Sequence, residues 1–263
     1  MTTRTVAVGD AVVAYEVDGD GPGLVLVHGT GGDGRTHWDL VAAALRTGRT
    51  VVRPTLSGSP GTTDGGGPLT LDALAAQVVG AADDAGLAAF DLVGYSLGAA
   101  VAVRLAASVP ERVRRLVLVA GFASADDARA RLEFGLWRSL IRTDHDAAAR
   151  LFMLTGFSPA FLVAMGEEQV EAAVRVGVEG DDWDGMLRQV DLDAVVDVRA
   201  DLARITAPTL SIGCTHDAMV GASHARAVAA LVPGASYAEV DAGHLVVFEA
   251  PQALAAELDA FLP

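Results

Sequence analysis

Apolar residues recur along this chain with two different periods, and the way the periods alternate predicts the fold. Short unbroken runs such as Leu24-Val25-Leu26-Val27 predict strands buried on both faces of a sheet. Further strands read at 50–53, 90–93, 113–120 and 209–212, where polar residues interrupt the apolar positions, and at 236–240. Before them, residues 5–8 and 12–17 read as a hairpin turning at Gly9-Asp10, with a second turn over 18–23. Between the strands the spacing changes to that of helices. One is expected over 36–46, and a second runs from a Thr70 cap to about residue 85, with Leu71, Leu74, Val78, Ala81 and Ala82 on one face. Others span 99–107, which Pro110 closes, and 222–231, and a last one opens at Pro251, a favoured first helical position. Alternating strands and helices predict an α/β fold with a mainly parallel sheet.

That alternation is interrupted once. From 121 to 198 the apolar residues keep helical spacing only, as in Leu132, Trp137, Leu140 and Ile141, and turn residues divide them into several short helices. The chain therefore divides into a core of 1–120 and 199–263 and a helical insert of 121–198, expected to cover one edge of the sheet as a cap. There is no internal repeat and no low-complexity tail.

Composition removes several classes of function. All 19 basic residues are arginine, so chemistry that needs a lysine is excluded: Walker-A phosphate binding, Schiff bases and serine–lysine dyads. A net charge of −15 argues against nucleic acid or an anionic membrane as partner. The single Cys214 excludes a disulfide framework and suits a reducing compartment. With no N-terminal signal pattern and no apolar run long enough to span a bilayer, a cytoplasmic location is expected. No His-Glu-x-x-His and no cysteine pair marks a metal site. No oligomeric state is specified.

The stretch richest in chemistry is Asp91-Leu92-Val93-Gly94-Tyr95-Ser96-Leu97-Gly98-Ala99-Ala100. A strand, a Gly-x-Ser-x-Gly turn and a helix follow one another there. Glycines two residues either side let the turn tighten until the serine hydroxyl stands at its apex. The Leu97 amide, at the start of a helix, is free to face a developing negative charge. A serine hydroxyl needs a base to take its proton, and an imidazole base needs a carboxylate to fix its tautomer. His244 follows the strand at 236–240, and Asp217 follows the strand at 209–212, so parallel strands would bring both to the edge that carries Ser96. Asp241, Asp126 and Asp127 are alternative acids. His28 and His37 read as hydrogen-bonded structural residues, His145 and His224 as surface residues, and His216 as able to turn toward the site. The small residues at 29–32 allow the Thr30 amide to be a second oxyanion donor. A competing reading exists for the same loop. Gly29-x-Gly31-x-x-Gly34 between a strand and a helix fits a dinucleotide fingerprint, with Arg53 available for a 2′-phosphate, and would make the chain an NADP-dependent oxidoreductase.

Taken together, the motifs resemble the α/β-hydrolase superfamily in its capped, esterase-like branch. The matching pieces are His28-Gly29-Thr30-Gly31-Gly32 with Trp38, Gly94-Tyr95-Ser96-Leu97-Gly98, Pro110-Glu111-Arg112-Val113, Gly213 with Asp217 and Val220, and Gly243-His244 with Glu249 and Pro251. The resemblance implies an eight-stranded, mostly parallel sheet flanked by helices, a Ser96–His244–Asp217 triad, and an oxyanion hole from the Thr30 and Leu97 amides. It also implies a cofactor-free enzyme that cleaves an ester, lactone or thioester of a small, partly hydrophobic substrate through an acyl-enzyme. Carbon–carbon bond hydrolysis, elimination and ligand binding without turnover are other uses of this fold. One loop departs from the family: Arg53-Pro54-Thr55-Leu56-Ser57-Gly58-Ser59 stands where an Asp-x-Arg-Gly-x-Gly-x-Ser pattern is common. Tyr95, Phe134, Trp137, Phe157 and Met219 are the candidate pocket-lining residues.

Overall fold

Successive residues of a strand face opposite sides of a sheet, so a run apolar at every position needs cover on both. In the computed structural model, which describes residues 2–45, 48–180 and 182–262, helices supply that cover. The strands are β1 (Thr2–Val8), β2 (Ala11–Gly19), β3 (Gly23–Val27), β4 (Thr50–Pro54), β5 (Phe90–Tyr95), β6 (Val113–Val119), β7 (Thr209–Cys214) and β8 (Ser236–Val240). They form one sheet in the order β1-β2-β4-β3-β5-β6-β7-β8. β1–β2 and β2–β4 pair antiparallel, and every pairing from β4 to β8 is parallel. The helices are α1 (Asp39–Leu45), α2 (Leu71–Asp84), α3 (Leu97–Ser108), α4 (Ala128–Thr143), α5 (His145–Gly156), α6 (Pro159–Gly180), α7 (Trp183–Asp193), α8 (Arg199–Leu202), α9 (Ala222–Leu231), α10 (Val246–Glu249) and α11 (Pro251–Phe261).

Odd and even positions divide the core. Val25, Val27, Leu92 and Leu116 pack with α2 and α3 on one face, whereas Leu24, Leu26, Val93 and Val117 pack with α1 and α11 on the other. β3 lies between β4 and β5, so the chain reverses its direction of progress across the sheet at that point. In open α/β sheets, a crevice forms outside the carboxyl ends of the strands at such a switch.

Several boundaries differ from the sequence reading. The helix expected from residue 36 starts at Asp39, because the Asp33 carboxylate accepts the amides of Arg35 and Thr36 at 2.6 and 2.8 Å and holds that segment in turns. Its expected end at residue 46 lies outside the described residues. The helix after Ser96 begins two residues earlier than expected, at Leu97. β2 runs on to Gly19, opposite Thr50, and takes up part of the turn expected over 18–23.

Arg53 is fully enclosed, ion-paired with Asp18 at 2.7 Å and with Asp39. The charge that a 2′-phosphate would require is thus already neutralised inside the core. Between β6 and α8 the chain forms α4 to α7. Its way in and its way out are tied together, with the Ala125 amide on the Val196 carbonyl and the Val198 amide on the Ala123 carbonyl, both at 2.9 Å. α6 is broken at Gly166, where φ is 74°, a value that favours glycine. Among the described residues no helix is long and apolar enough to cross a membrane.

Candidate active site

Ser96 sits between β5 and α3 at φ 54° and ψ −119°, a strained backbone position for a residue with a side chain. Its surroundings enforce the turn. A Cβ on Gly94 would lie 2.2 Å from the Gly98 carbonyl oxygen, and one on Gly98 would lie 2.4 Å from the His28 carbonyl oxygen. The Ser96 amide donates to the Val119 carbonyl at 3.0 Å, which anchors the turn to β6.

The predicted partners converge on it. Ser96 Oγ lies 3.0 Å from His244 Nε2, and His244 Nδ1 lies 2.7 Å from Asp217 Oδ2. The other oxygen of Asp217 accepts the amides of Met219 and Val220 at 2.9 and 2.8 Å. His244 and Asp217 are both buried. Burial acts to lower the His244 pKa, but the facing carboxylate of Asp217 outweighs it, and the imidazole ends above its ordinary value. Asp217 moves the other way: burial raises it, while His244 and the Val220 and Gly221 amides bring it below the usual carboxylate range. Tyr95 donates its hydroxyl to the His244 carbonyl at 3.0 Å and so fixes the backbone behind the imidazole.

The alternative acids lie elsewhere. Asp241 is exposed and bonds to His216 and Thr215, at 2.9 and 3.0 Å. Asp127 caps α4 through the Ala130 amide at 2.9 Å, and Asp126 pairs with Arg131. His216 therefore faces Asp241 rather than Ser96. His28 donates Nδ1–H to the Gly29 carbonyl at 2.8 Å, while its Nε2 accepts the Leu56 amide at 2.8 Å. His37 accepts the Gly29 amide at 3.2 Å, and burial, with His28 and His244 nearby, lowers its pKa to about 3. Both rings brace the 28–34 loop as neutral groups.

That loop packs against the serine, since a Cβ on Gly29 would come within 2.9 Å of the Ser96 Cβ. Neither the Thr30 nor the Leu97 amide donates to a protein acceptor among the described residues. The Gly31 amide does: it is held by Gln189 Oε1 at 2.9 Å.

A chamber of about 170 Å³ opens over Ser96 and His244, walled by Thr30, Tyr95, Trp137, Phe152, Met186 and Met219. It adjoins an outer cavity of about 500 Å³ between the 31–37 loop, α5, α6 and α7. The two share Gly31, His37, Phe152, Met186 and Leu245. Of the residues read from the sequence as pocket-lining, Tyr95, Trp137 and Met219 wall the inner chamber and Phe157 lines the outer cavity. Phe134 is a correction. It borders neither space, because its ring is packed between Phe122 at 5.9 Å and Trp137 at 5.3 Å, inside the insert's own core.

Four residues of the insert were missed: Phe152, Met186, Gln189 and Asp193. A signal for two of them exists. The buried stripe of α7 is Trp183, Met186, Gln189, Val190 and Asp193, so two polar residues occupy positions that helical spacing reserves for apolar ones. Among the described residues no cluster of His, Cys, Asp and Glu is placed to hold a metal ion.

Known proteins with similar sequences and folds agree with this architecture. The family model described as "Alpha/beta hydrolase family" matches residues 24–257. Pyrrolizixenacetamide deacetylase of Xenorhabdus hominickii is 49% identical over 257 residues, covering 98% of this chain and 97% of that protein. A hydrolase from Pseudomonas aeruginosa PA01 is 30% identical, with a TM-score of 0.87 over 99% of this chain and 98% of its own. The enol-lactonase of Burkholderia xenovorans LB400 is 25% identical, with a TM-score of 0.88 over 98% of this chain and 99% of its own. A match that covers nearly all of the sheet and its connections, joined to the elbow geometry at Ser96, leads to one assignment: this chain belongs to the alpha/beta hydrolase family and is an enzyme with hydrolase relatives.

Proposed function

We propose that the protein is a serine hydrolase that removes a short acyl group from a small, mainly apolar substrate through an acyl-enzyme. The observation that carries this reading is the unbroken chain from Ser96 Oγ to His244 Nε2 at 3.0 Å and from Nδ1 to Asp217 at 2.7 Å, directly beneath an apolar chamber. As Ser96 Oγ bonds to the carbonyl carbon, its proton passes to Nε2, and Asp217 stabilises the imidazolium that results. The oxyanion lies against the Thr30 and Leu97 amides. When the bond to the leaving group breaks, Nε2 returns the proton to that group. Water then attacks the acyl-enzyme by the same route, releasing a carboxylic acid and restoring the Ser96 hydroxyl.

Substrate class follows from size and charge. The inner chamber suits an acyl group of a few carbons, and the outer cavity suits a larger leaving group; their summed volume is in the range of ordinary ligand sites. The charged side chains at the outer cavity are Asp33 and Asp182, and no arginine lines either space among the described residues. An uncharged substrate is favoured, and an anionic thioester such as a nucleotide-bearing one is not. The deacetylase relative supports an acyl amide as the bond cleaved, with esters as simpler surrogates. Likeness to an enol-lactonase supports a lactone as the second reading. We place the reaction in the cytoplasm, where the buried free thiol of Cys214 would remain reduced.

The test uses a fluorophosphonate probe and neutral acetyl amides and esters. One label per chain at Ser96 is expected, with turnover that falls at least about 10³-fold in Ser96→Ala. The same substrates carrying a carboxylate on the leaving group should be poorer. Labelling elsewhere, or turnover that survives Ser96→Ala, would refute the serine mechanism.

A further inference from the structure

The stripe that α7 turns toward the core contains a fully buried side-chain amide with every partner in place. Gln189 Oε1 accepts the Gly31 amide at 2.9 Å, and Nε2 donates to the Ser57 carbonyl at 3.1 Å and to Ser59 Oγ at 2.9 Å. Ser59 in turn donates its hydroxyl to the Gly32 carbonyl at 2.6 Å. One turn along the helix, Asp193 accepts the Thr30 hydroxyl at 2.5 Å. Side chains four apart lie on one face of a helix, so both reach the same loop. The insert, the 28–34 loop and the loop at 53–59, which departs from the resembled pattern, are thereby joined through a single residue.

A loop carrying Gly29, Gly31, Gly32 and Gly34 has large backbone freedom, and Gly31 sits at φ 74°. An oxyanion donor is effective only when its N–H is aimed before the charge develops. We propose that Gln189 is the positioning residue of the oxyanion loop. By taking up the Gly31 N–H it leaves Thr30 N–H as the loop's donor to the reacting oxygen, and by gripping Ser59, whose hydroxyl donates to the Gly32 carbonyl, it also holds the following peptide. Asp193 holds the Thr30 side chain and reinforces the same geometry. Gln189 touches no reacting atom, since it borders neither cavity. Its contribution rests on the serine-hydrolase reading and adds to it a dependence of transition-state stabilisation on the insert.

The experiment compares an oxoester with its thionoester, p-nitrophenyl acetate and the C=S analogue, because sulfur is a poor acceptor and the pair reports on oxyanion donors alone. The wild-type enzyme should favour the oxoester by about 10²-fold or more in kcat. In Gln189→Met, which fills the same volume without hydrogen bonds, kcat on the oxoester should fall about 10- to 100-fold with KM nearly unchanged, and the oxo-to-thiono ratio should shrink about tenfold. Ser59→Ala, which removes one grip on Gln189, should shrink the ratio about threefold and serves if the methionine variant does not fold. A merely structural role would lower both substrates together, and a folded variant with the wild-type ratio overturns the proposal. Wild-type protein that fails to label at Ser96 overturns the hydrolase reading, and this inference with it, before any variant is made.

Discussion

The two loops that flank Ser96 are shaped by opposite strategies. In the acid loop, Asp217 folds its own turn, with one carboxylate oxygen on the Met219 and Val220 amides and the other on His244. Outside help comes from Arg129 of α4, which donates to the Ala218 carbonyl and, at 2.5 Å, to the Met219 carbonyl, and from the end of β8, where the Val240 and Ala242 carbonyls accept the Thr215 and His216 amides, both at 3.0 Å. The 28–34 loop holds less of its own shape. Its inner polar contacts go to His37, Thr55, Leu56, Ser59, Gln189 and Asp193, the last two more than 150 residues away in the chain. One half of the site draws mainly on its own turn, and the other half draws on distant residues, two of them in the insert.

The sharpest way to break this contrast is to remove the carboxylate from the self-contained half. Asp217→Asn should reduce kcat by about 10³- to 10⁴-fold, because the amide neither fixes the imidazole tautomer nor stabilises the imidazolium. Asp241→Asn, Asp126→Asn and Asp127→Asn should each stay within about threefold, as none contacts His244. The base must be neutral to take the Ser96 proton, and Asp217 raises the His244 pKa. The acid limb of kcat/KM should therefore lie above the ordinary histidine value in the wild type and move to lower pH in Asp217→Asn. Damage from Asp241→Asn equal to that from Asp217→Asn would show that the local turn is not what supplies the acid.

The same contrast explains what was legible in the sequence. Ser96, His244 and Asp217 each follow a strand legible in the sequence, the one before His244 least by its apolar content, and a parallel sheet places such strand ends together whatever the intervening chain does. Gly94 and Gly98 mark the elbow within five residues of sequence, although the demand on Gly98 comes from the Val27 and His28 carbonyls across the turn. Gln189 and Asp193 leave a weaker local mark, two polar residues in the buried stripe of α7, which does not name their partners. Their partners, Gly31 and Thr30, are reached only after α7 docks, so nothing within a window of sequence connects them. Phe134 was misplaced for a related reason: helical spacing identifies Phe134 and Trp137 as one buried stripe, but not which of them ends at the cavity.

A second comparison separates those two rings. Trp137 walls the inner chamber, whereas Phe134 lies behind it. Trp137→Ala should enlarge the acyl chamber and shift preference from acetyl toward hexanoyl esters by about tenfold, the order expected when a few methylenes gain apolar contact. Phe134→Ala should leave that preference unchanged and cost about 3–5 kcal/mol of stability, as a buried aromatic truncation does. An acyl-length series with thermal melts on both variants decides the matter, and a shift in preference from Phe134→Ala would contradict the packing.

The smallest effect concerns the imposed half, and it appears as a slope rather than a loss. Asp193 is buried, with one oxygen on Thr30 and the other without a partner among the described residues, and burial raises its pKa from 3.8 to about 7 against the opposing hydrogen bond from Thr30. A carboxyl raised on folding keeps its proton in the native state after the unfolded chain has lost it. Folded stability should therefore decrease as pH rises from about 4 to about 7 and level off above that, since only there is Asp193 ionised in both states. Glu133, raised by burial to about 7, acts in the same window and must be subtracted. The subtraction is made by comparing wild type with Asp193→Asn, which keeps Glu133 and removes the titration at 193. Denaturant unfolding at pH 4.5, 6 and 8 should show the difference between the two proteins changing by a few kcal/mol at most, each unit of pKa separation being worth about 1.4 kcal/mol. Parallel curves across those pH values would mean that Asp193 enters the fold already ionised, its charge carried within contact of Thr30, where it would oppose the oxyanion that this loop is proposed to hold.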